Sequence, residues 1–231
     1  MMVLSCDTST AVMHLGLCRF TEGRLSWFST QSLTCGTRHS ELALDRILAL
    51  CDDAKITLAD IDLLVTTKGP GSFTGLRIAL SLCKGISVAS TAALVSVPTF
   101  DAWYESIGFV PNPVLAVIDA KKQRFYAALY QDGECLGGPA DLSVAEIDTL
   151  IAPYEDLILT GSDAPLLVER LGTSFPIAQS EGSALAVSLA RLGVKQYLNH
   201  GADRPEAGPL YIRKSDAEIA LQQRQEAALK E

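Results

Sequence analysis

Between Gly69 and Gly75 the chain places three glycines and a proline, and this punctuation separates the strand-forming run Ile61 to Thr67 from a stretch, Leu76 to Ala89, that is apolar on most of a helical circumference. Glycine opens backbone conformations closed to other residues, so the loop turns sharply. A buried strand delivered straight into a helix predicts an α/β chain. On the helix, Leu76, Ala79, Leu80 and Cys83 form one stripe and Ile78, Leu82, Ile86 and Ala89 a second, diluted by Arg77, Ser81, Lys84 and Ser87. A helix of that kind must be covered on more than one side.

The flanking segments extend the pattern. Val3 to Cys6 reads as a strand ending at Asp7, followed by the turn Thr8-Ser9-Thr10 and by strands near 13–18 and 25–32. Thr37 is placed to cap a helix with Leu44, Ile47, Leu48 and Cys51 at i, i+3, i+4 and i+7, and Glu41 lies in its first turn. A strand over 93–97 completes the order β-β-β-α-β-α-β. The order then restarts: 114–118 ends at Asp119, turns and returns over 125–130, the strand 157–160 with Gly161 mirrors the strand before Gly69, and a shorter helix over 164–171 carries Pro165 in its first turn. Pro111 and Pro113 mark the crossover. Two related lobes are therefore expected, 1–107 and an abbreviated 108–214 closed by a helix over 184–198. A tail, 215–231, follows, in which Ser215 and Glu218 have capping-box spacing ahead of Ile219 and Leu221.

Charge and cysteine usage narrow the function. With 19 Lys and Arg against 27 Asp and Glu, the chain carries −8 and repels polyanions on average. Its basic residues are scattered, Lys121-Lys122 with Arg124 being the densest group, so a free-standing nucleic-acid binder is disfavoured. Six cysteines show no C-x-x-C spacing. The start lacks a basic leader and no apolar run approaches the ~18 residues that span a bilayer, so a reducing cytoplasm without membrane attachment is expected. Three histidines, His14, His39 and His200, are too few for metal hydrolysis or for a Ser-His-Asp or Cys-His pairing to be assigned.

The glycine loop is neither a Walker loop, because Leu76 follows Gly75 where lysine is needed, nor G-x-G-x-x-G. It admits two readings: a device for close strand-to-helix packing with Ser72 or Thr74 as N-cap, or an anion site at a helix start. Asp7 likewise reads either as a turn former or as a carboxylate able to hold Mg²⁺ through water.

The stretch Lys68-Gly69-Pro70-Gly71-Ser72-Phe73-Thr74-Gly75-Leu76-Arg77 resembles the signature of the TsaB (YeaZ) family. The resemblance continues in family order through Asp7-Thr8-Ser9-Thr10, Arg38-His39-Ser40-Glu41, Asp119-Ala120 leading to Phe125-Tyr126-Ala127-Ala128, and Pro209-Leu210-Tyr211-Ile212-Arg213-Lys214. It implies the two-lobed actin-like, Hsp70-like, sugar-kinase-like (ASKHA, ribonuclease H-like) fold with mixed sheets. It also implies a non-catalytic subunit required, with TsaD and the TsaE ATPase, to transfer threonylcarbamoyl from threonylcarbamoyl-AMP to the adenosine 3′ of the anticodon in tRNAs reading codons that begin with A. By that resemblance the isolated chain holds no cofactor and no metal, ATP, ADP and metal sit on partner subunits, tRNA is met only through the complex, and the chain alone is a homodimer. A metal-binding relative would need a second histidine four residues after His39, where this sequence has Ala43. The turn Thr8-Ser9-Thr10 and the single Gly161 look like degraded phosphate cradles, leaving Asp7, Thr8 and Ser9 as a candidate vestigial nucleotide or Mg²⁺ site. Two broadly apolar helices leave surface for a partner or for this chain's own C-terminal helix, and the resemblance points to a partner on the same pair: Glu41, Leu44, Asp45, Ile47, Leu48 and Cys51 on the first, Ile78, Leu82 and Ile86 on the second. The competing expectations are a small-metabolite kinase of the same fold and a glycoprotease-like metallopeptidase.

Overall fold

The computed structural model describes residues 1–180 and 183–213. Strand β1 (Met2–Asp7) is buried along its whole length and lies antiparallel to β2 (Val12–Thr21), which pairs antiparallel with β3 (Arg24–Thr34). β4 (Leu63–Gly69) joins β1 in parallel, and β5 (Ala93–Pro98) joins β4, giving the order β3-β2-β1-β4-β5. Just ahead of β4, Asp62 ties down the start of β1: its Oδ2 accepts from the Met2 N–H at 2.6 Å.

Side chains alternate across this sheet, and helices cover both faces. Leu4, Leu15 and Leu64 meet Ala43 and Ile47 of α1 (His39–Asp53) and Ala79 and Cys83 of α2 (Phe73–Ser90). On the other face, Val3, Val65 and Val95 meet Ala102 of α3 (Thr99–Ser106) and Leu189 and Val194 of the last described helix.

The second sheet repeats the plan with one strand fewer. β6 (Val114–Asp119), β7 (Arg124–Gln131), β8 (Glu134–Ser143) and β9 (Ile158–Thr160) stand in the order β8-β7-β6-β9. β6 and β9 are parallel like β1 and β4, and an isolated parallel bridge from Leu159 to Ile177 stands where β5 stands in the first sheet. α4 (Val144–Ile151) and α5 (Ala164–Leu171) cover one face. α3 covers the other and is shared by both sheets: Ala102 and Trp103 pack on the first, Phe100 and Tyr104 on the second. The two mixed sheets, the second an abbreviated repeat of the first, are the α/β plan expected from the restart of the strand order.

Several expectations need correction. Thr37 does not cap α1. The position before the helix is Arg38, which makes no side-chain cap bond, and the start is held instead by His39, whose Nε2 lies 2.8 Å from the Thr10 carbonyl. α6 (Ala184–His200), counted by the sequence reading within 108–214, follows the second sheet in the chain but lies across the first, where the Ser5 hydroxyl donates to the Ala186 carbonyl at 2.7 Å. α3, β8 and α4 are elements beyond those read from the sequence above. The predicted terminal helix at Ser215, Glu218, Ile219 and Leu221 lies outside the described residues.

Candidate docking face and glycine loop

The loop after β4 closes over the turn after β1. Ser72 caps α2, its side chain accepting from the Gly75 N–H at 3.2 Å. The Ser72 N–H donates to the Ser9 carbonyl at 2.7 Å and the Thr8 hydroxyl to the Gly75 carbonyl at 2.7 Å. Gly75 is required for this approach, since a Cβ there would overlap the Thr8 carbonyl oxygen. Gly69, at φ +116°, brings its own backbone against the Leu210 carbonyl while Leu210 N–H donates to the Lys68 carbonyl at 2.6 Å.

Asp7, Thr8 and Ser9 are all buried beneath that lid. Asp7 Oδ1 accepts from the Thr67 hydroxyl at 2.6 Å and from the Ser9 N–H at 3.0 Å, while Oδ2 and the Ser9 hydroxyl have no partner among the described residues. Mg²⁺ needs six oxygens, most of them waters. Asp7 is fully enclosed, and no group of three or more His, Cys, Asp or Glu able to hold a metal occurs among the described residues. The closed turn as it stands therefore does not fit a hydrated ion or a nucleotide phosphate.

His39 is buried and pinned on both ring nitrogens, Nδ1 lying 3.0 Å from Cys35 Sγ. The Thr10 carbonyl only accepts, so Nε2 carries the proton there. The ring is a strut between α1 and the β1–β2 turn.

The late segment 209–213 reaches the same place, a connection that the sequence order hid. Tyr211 packs on Phe73 with ring centroids 4.7 Å apart, and Arg77 lies 3.9 Å over Phe73 while its Nε donates to the Tyr211 hydroxyl at 2.7 Å. Arg213 then crosses to the second sheet, donating to Asp141 at 2.8 Å and to the Ala120 carbonyl at 3.0 Å. Pro70, Gly71 and Thr74 complete the loop; Gly71 abuts Ser9, and Thr74 is exposed.

The helix face divides differently from the expectation. Leu44 and Leu48 are 42% and 44% exposed, and Glu41 and Asp45 are exposed beside them, Glu41 paired with Arg38 at 2.9 Å. Ile78 and Leu82 are half-buried. Ile47, Cys51 and Ile86 are not on this face: they lie in the core, packed with Ile61, Ile56 and Leu58 of the connection after α1. What remains open is a groove of about 470 Å³ between the helices, lined by Ala43, Leu44, Phe73, Arg77, Ile78 and Leu82.

The family model described as TsaD: tRNA N6-adenosine threonylcarbamoyltransferase matches residues 34–221. The tRNA threonylcarbamoyladenosine biosynthesis protein TsaB of Escherichia coli is 28% identical over 139 residues, covering 58% of this chain and 57% of that protein. The chain belongs to the TsaD-related TsaB (YeaZ) family. An uncharacterized Mycobacterium tuberculosis protein is 29% identical over 217 residues, 93% of each chain. The structure of YeaZ from Pseudomonas aeruginosa superposes with TM-score 0.70 at 23% identity, covering 91% of this chain and 99% of that one, a likeness of fold. No helix among the described residues is long and apolar enough to cross a membrane.

Proposed function

We propose that this chain is a non-catalytic subunit in tRNA threonylcarbamoyladenosine formation, one that docks through the α1–α2 groove onto a TsaD-type catalytic subunit. The family supplies the pathway, as TsaB relatives carry that name. One observation carries the division of labour: the first lobe's turn is sealed by the chain's own loop, while apolar Leu44, Leu48 and Phe73 remain on the surface beside it. An exposed apolar patch of this kind marks an interface. In this reading ATP, ADP and metal belong to the partner subunits, a TsaE-type ATPase joins the assembly, the chain without its partner is a homodimer, and all of this takes place in the cytoplasm.

The test is capture of a TsaD-type partner by Leu44→Glu and Leu48→Glu chains, whose exposed positions keep the fold intact. Both variants are expected to melt like the parent and to lose the partner. Ile86→Glu does not serve, because a charge at this core position unfolds the chain. Undiminished capture by both surface variants refutes the docking face. Saturable binding of Mg-ATP to the isolated chain in calorimetry refutes the non-catalytic reading and revives the kinase.

A further inference from the structure

The opposite face of the first sheet carries α6, and there the structure gathers cations that the sequence scatters. Arg24 at the start of β3, with Arg191 and Lys195 of α6, lines a groove of about 580 Å³ that contains no carboxylate among the described residues and is floored by Leu25, Val194 and Leu198. Lys195 and Asn199 also form the wall of an adjoining hollow of about 410 Å³, to which Lys68 and His200 contribute. The one acid of that hollow among the described residues, Asp101, has an oxygen engaged by the Tyr130 hydroxyl at 2.7 Å. Elsewhere Arg38, Lys121, Arg124 and Arg213 are paired with carboxylates, and cations such as Arg46, Lys55 and Arg170 that have no ion pair among the described residues line neither hollow. The side chains of Arg24, Lys68, Arg191 and Lys195 have no ion pair among the described residues.

A band of unpaired cations on a chain of net charge −8 is a local reversal of sign. Like charges held together with no acid between them repel one another, and that repulsion is relieved by a polyanion. From Arg191 to His200 the helix rises about 13 Å, the span of several successive phosphates along a strand. We propose that the C-terminal half of α6, with Arg24 in the hollow on one flank and Lys68 in the hollow on the other, forms a cationic band that holds the phosphodiester backbone of RNA. The choice of RNA among polyanions rests on the tRNA-modification reading above; the charge reversal does not. Because α6 and the α1–α2 groove lie on opposite faces of one sheet, a protein partner and RNA can be bound together. The acidic remainder of the surface then confines RNA to this band.

The experiment uses the chain assembled with its TsaD-type partner and an unmodified tRNA transcript. Arg191→Glu/Lys195→Glu, both at exposed positions, is expected to weaken tRNA binding at least tenfold at moderate salt and to raise KM for tRNA with kcat unchanged. The slope of log affinity against log salt should fall by about 0.7–0.9 per lost phosphate contact. Neutral Arg24→Gln/Lys195→Gln should give a smaller change in the same direction, and partner capture should be unaltered in both. Unchanged tRNA affinity and salt slope overturn the inference. So does loss of a protein partner with tRNA binding intact, which makes the band a seat for an acidic protein segment. An assembly that binds tRNA through these residues but modifies none sinks the proposed function and leaves this inference standing; normal modification indifferent to the charge reversals does the converse.

Discussion

Two glycines on the same helix should respond in opposite directions to the same substitution. Gly75 sits in the first turn of α2, where a Cβ would stand closer than 3.0 Å to the Thr8 carbonyl oxygen, backbone that cannot swing aside. To admit alanine, the loop must part from the β1–β2 turn, loosening the bonds from Thr8 to the Gly75 carbonyl and from Ser72 to the Ser9 carbonyl. Overpacking costs about 1–3 kcal/mol and each buried group left unpaired about 1–3 kcal/mol, against about 1 kcal/mol recovered from alanine's helix propensity. With both bonds lost the net is a destabilisation of at least about 2 kcal/mol, and for a chain of this size the melting temperature falls by about 2–4 °C per kcal/mol. Gly85 lies two turns and more along, exposed, with nothing within 4 Å of where an alanine Cβ would stand, so Gly85→Ala should stabilise by up to about 1 kcal/mol. Urea unfolding of the two variants beside the parent reads both effects at once. A Gly75→Ala chain as stable as Gly85→Ala would mean that the loop does not seal the turn, and the closed-site reasoning would go with it.

Thiol chemistry and acid stability give two more checks. Burial pushes Cys18 up to about 12 and raises Cys51 as well, whereas Cys135 is exposed. Brief alkylation of the native chain at pH 8 should therefore label Cys135 and spare Cys18, and mass mapping that finds Cys18 labelled before unfolding contradicts the packing of α6 on β2. His14 is held below its usual value by burial, an effect the Asp7 carboxylate partly offsets. The folded chain thus binds fewer protons there than the unfolded one, so stability is full above the unfolded pKa of about 6.5 and declines as pH falls toward the lower folded value. Unfolding free energies at pH 7.5 and 5.5 should differ less in His14→Gln than in the parent; an undiminished difference assigns the acid sensitivity elsewhere.

The sequence made the strand order and the restart at Asp119 legible because each core strand is a short apolar run with turn residues at its ends, and local pattern is enough for that. β8 escaped because Gly137, Gly138 and Pro139 read as a loop; it survives as an edge strand, where a missing ladder bond is tolerated. α3 escaped because its eight residues are helical for a tertiary reason, wedged between two sheets with Trp103 on one and Phe100 on the other. α4 did carry a signal, the Ser143–Glu146 capping box, which the structure forms. On the docking face, periodicity showed that α2 is apolar on two stripes but not what covers the second. The connection holding Ile56, Leu58 and Ile61 covers part of it, taking Cys51 and Ile86 into the core and leaving Leu44, Leu48 and Phe73 outside. The grouping of cations along α6 was illegible in principle, since residues 24 and 191 join Lys195 in one hollow, and residue 68 joins it in another, only once α6 crosses back over the first sheet.

Asp7 and Asp119 end the first strand of each sheet, and each accepts a bond from the backbone two residues on: Ser9 N–H to Asp7 Oδ1 at 3.0 Å, Lys121 N–H to Asp119 Oδ1 at 2.8 Å. That is an Asx turn, so hairpin geometry alone explains why both lobes repeat the residue. The second oxygens part company. Asp119 Oδ2 meets Lys121 Nζ at 2.7 Å in reach of solvent, whereas Asp7 Oδ2 is buried without a partner among the described residues. The difference follows from the loops above them: after β9 a single glycine, Gly161, lets the chain pass the Val117 carbonyl, while after β4 the segment 71–75 lies down over Thr8 and Ser9. A buried carboxylate oxygen left unpaired is expensive, and the bonds from Thr67 and Ser9 to its sister oxygen offset that cost while the lid stays shut. The carboxylate that most resembles a ligand-binding group in the sequence is thus closed off from solvent while the lid stays shut, and the surfaces proposed for docking and for RNA lie instead on the two helical faces of the first sheet.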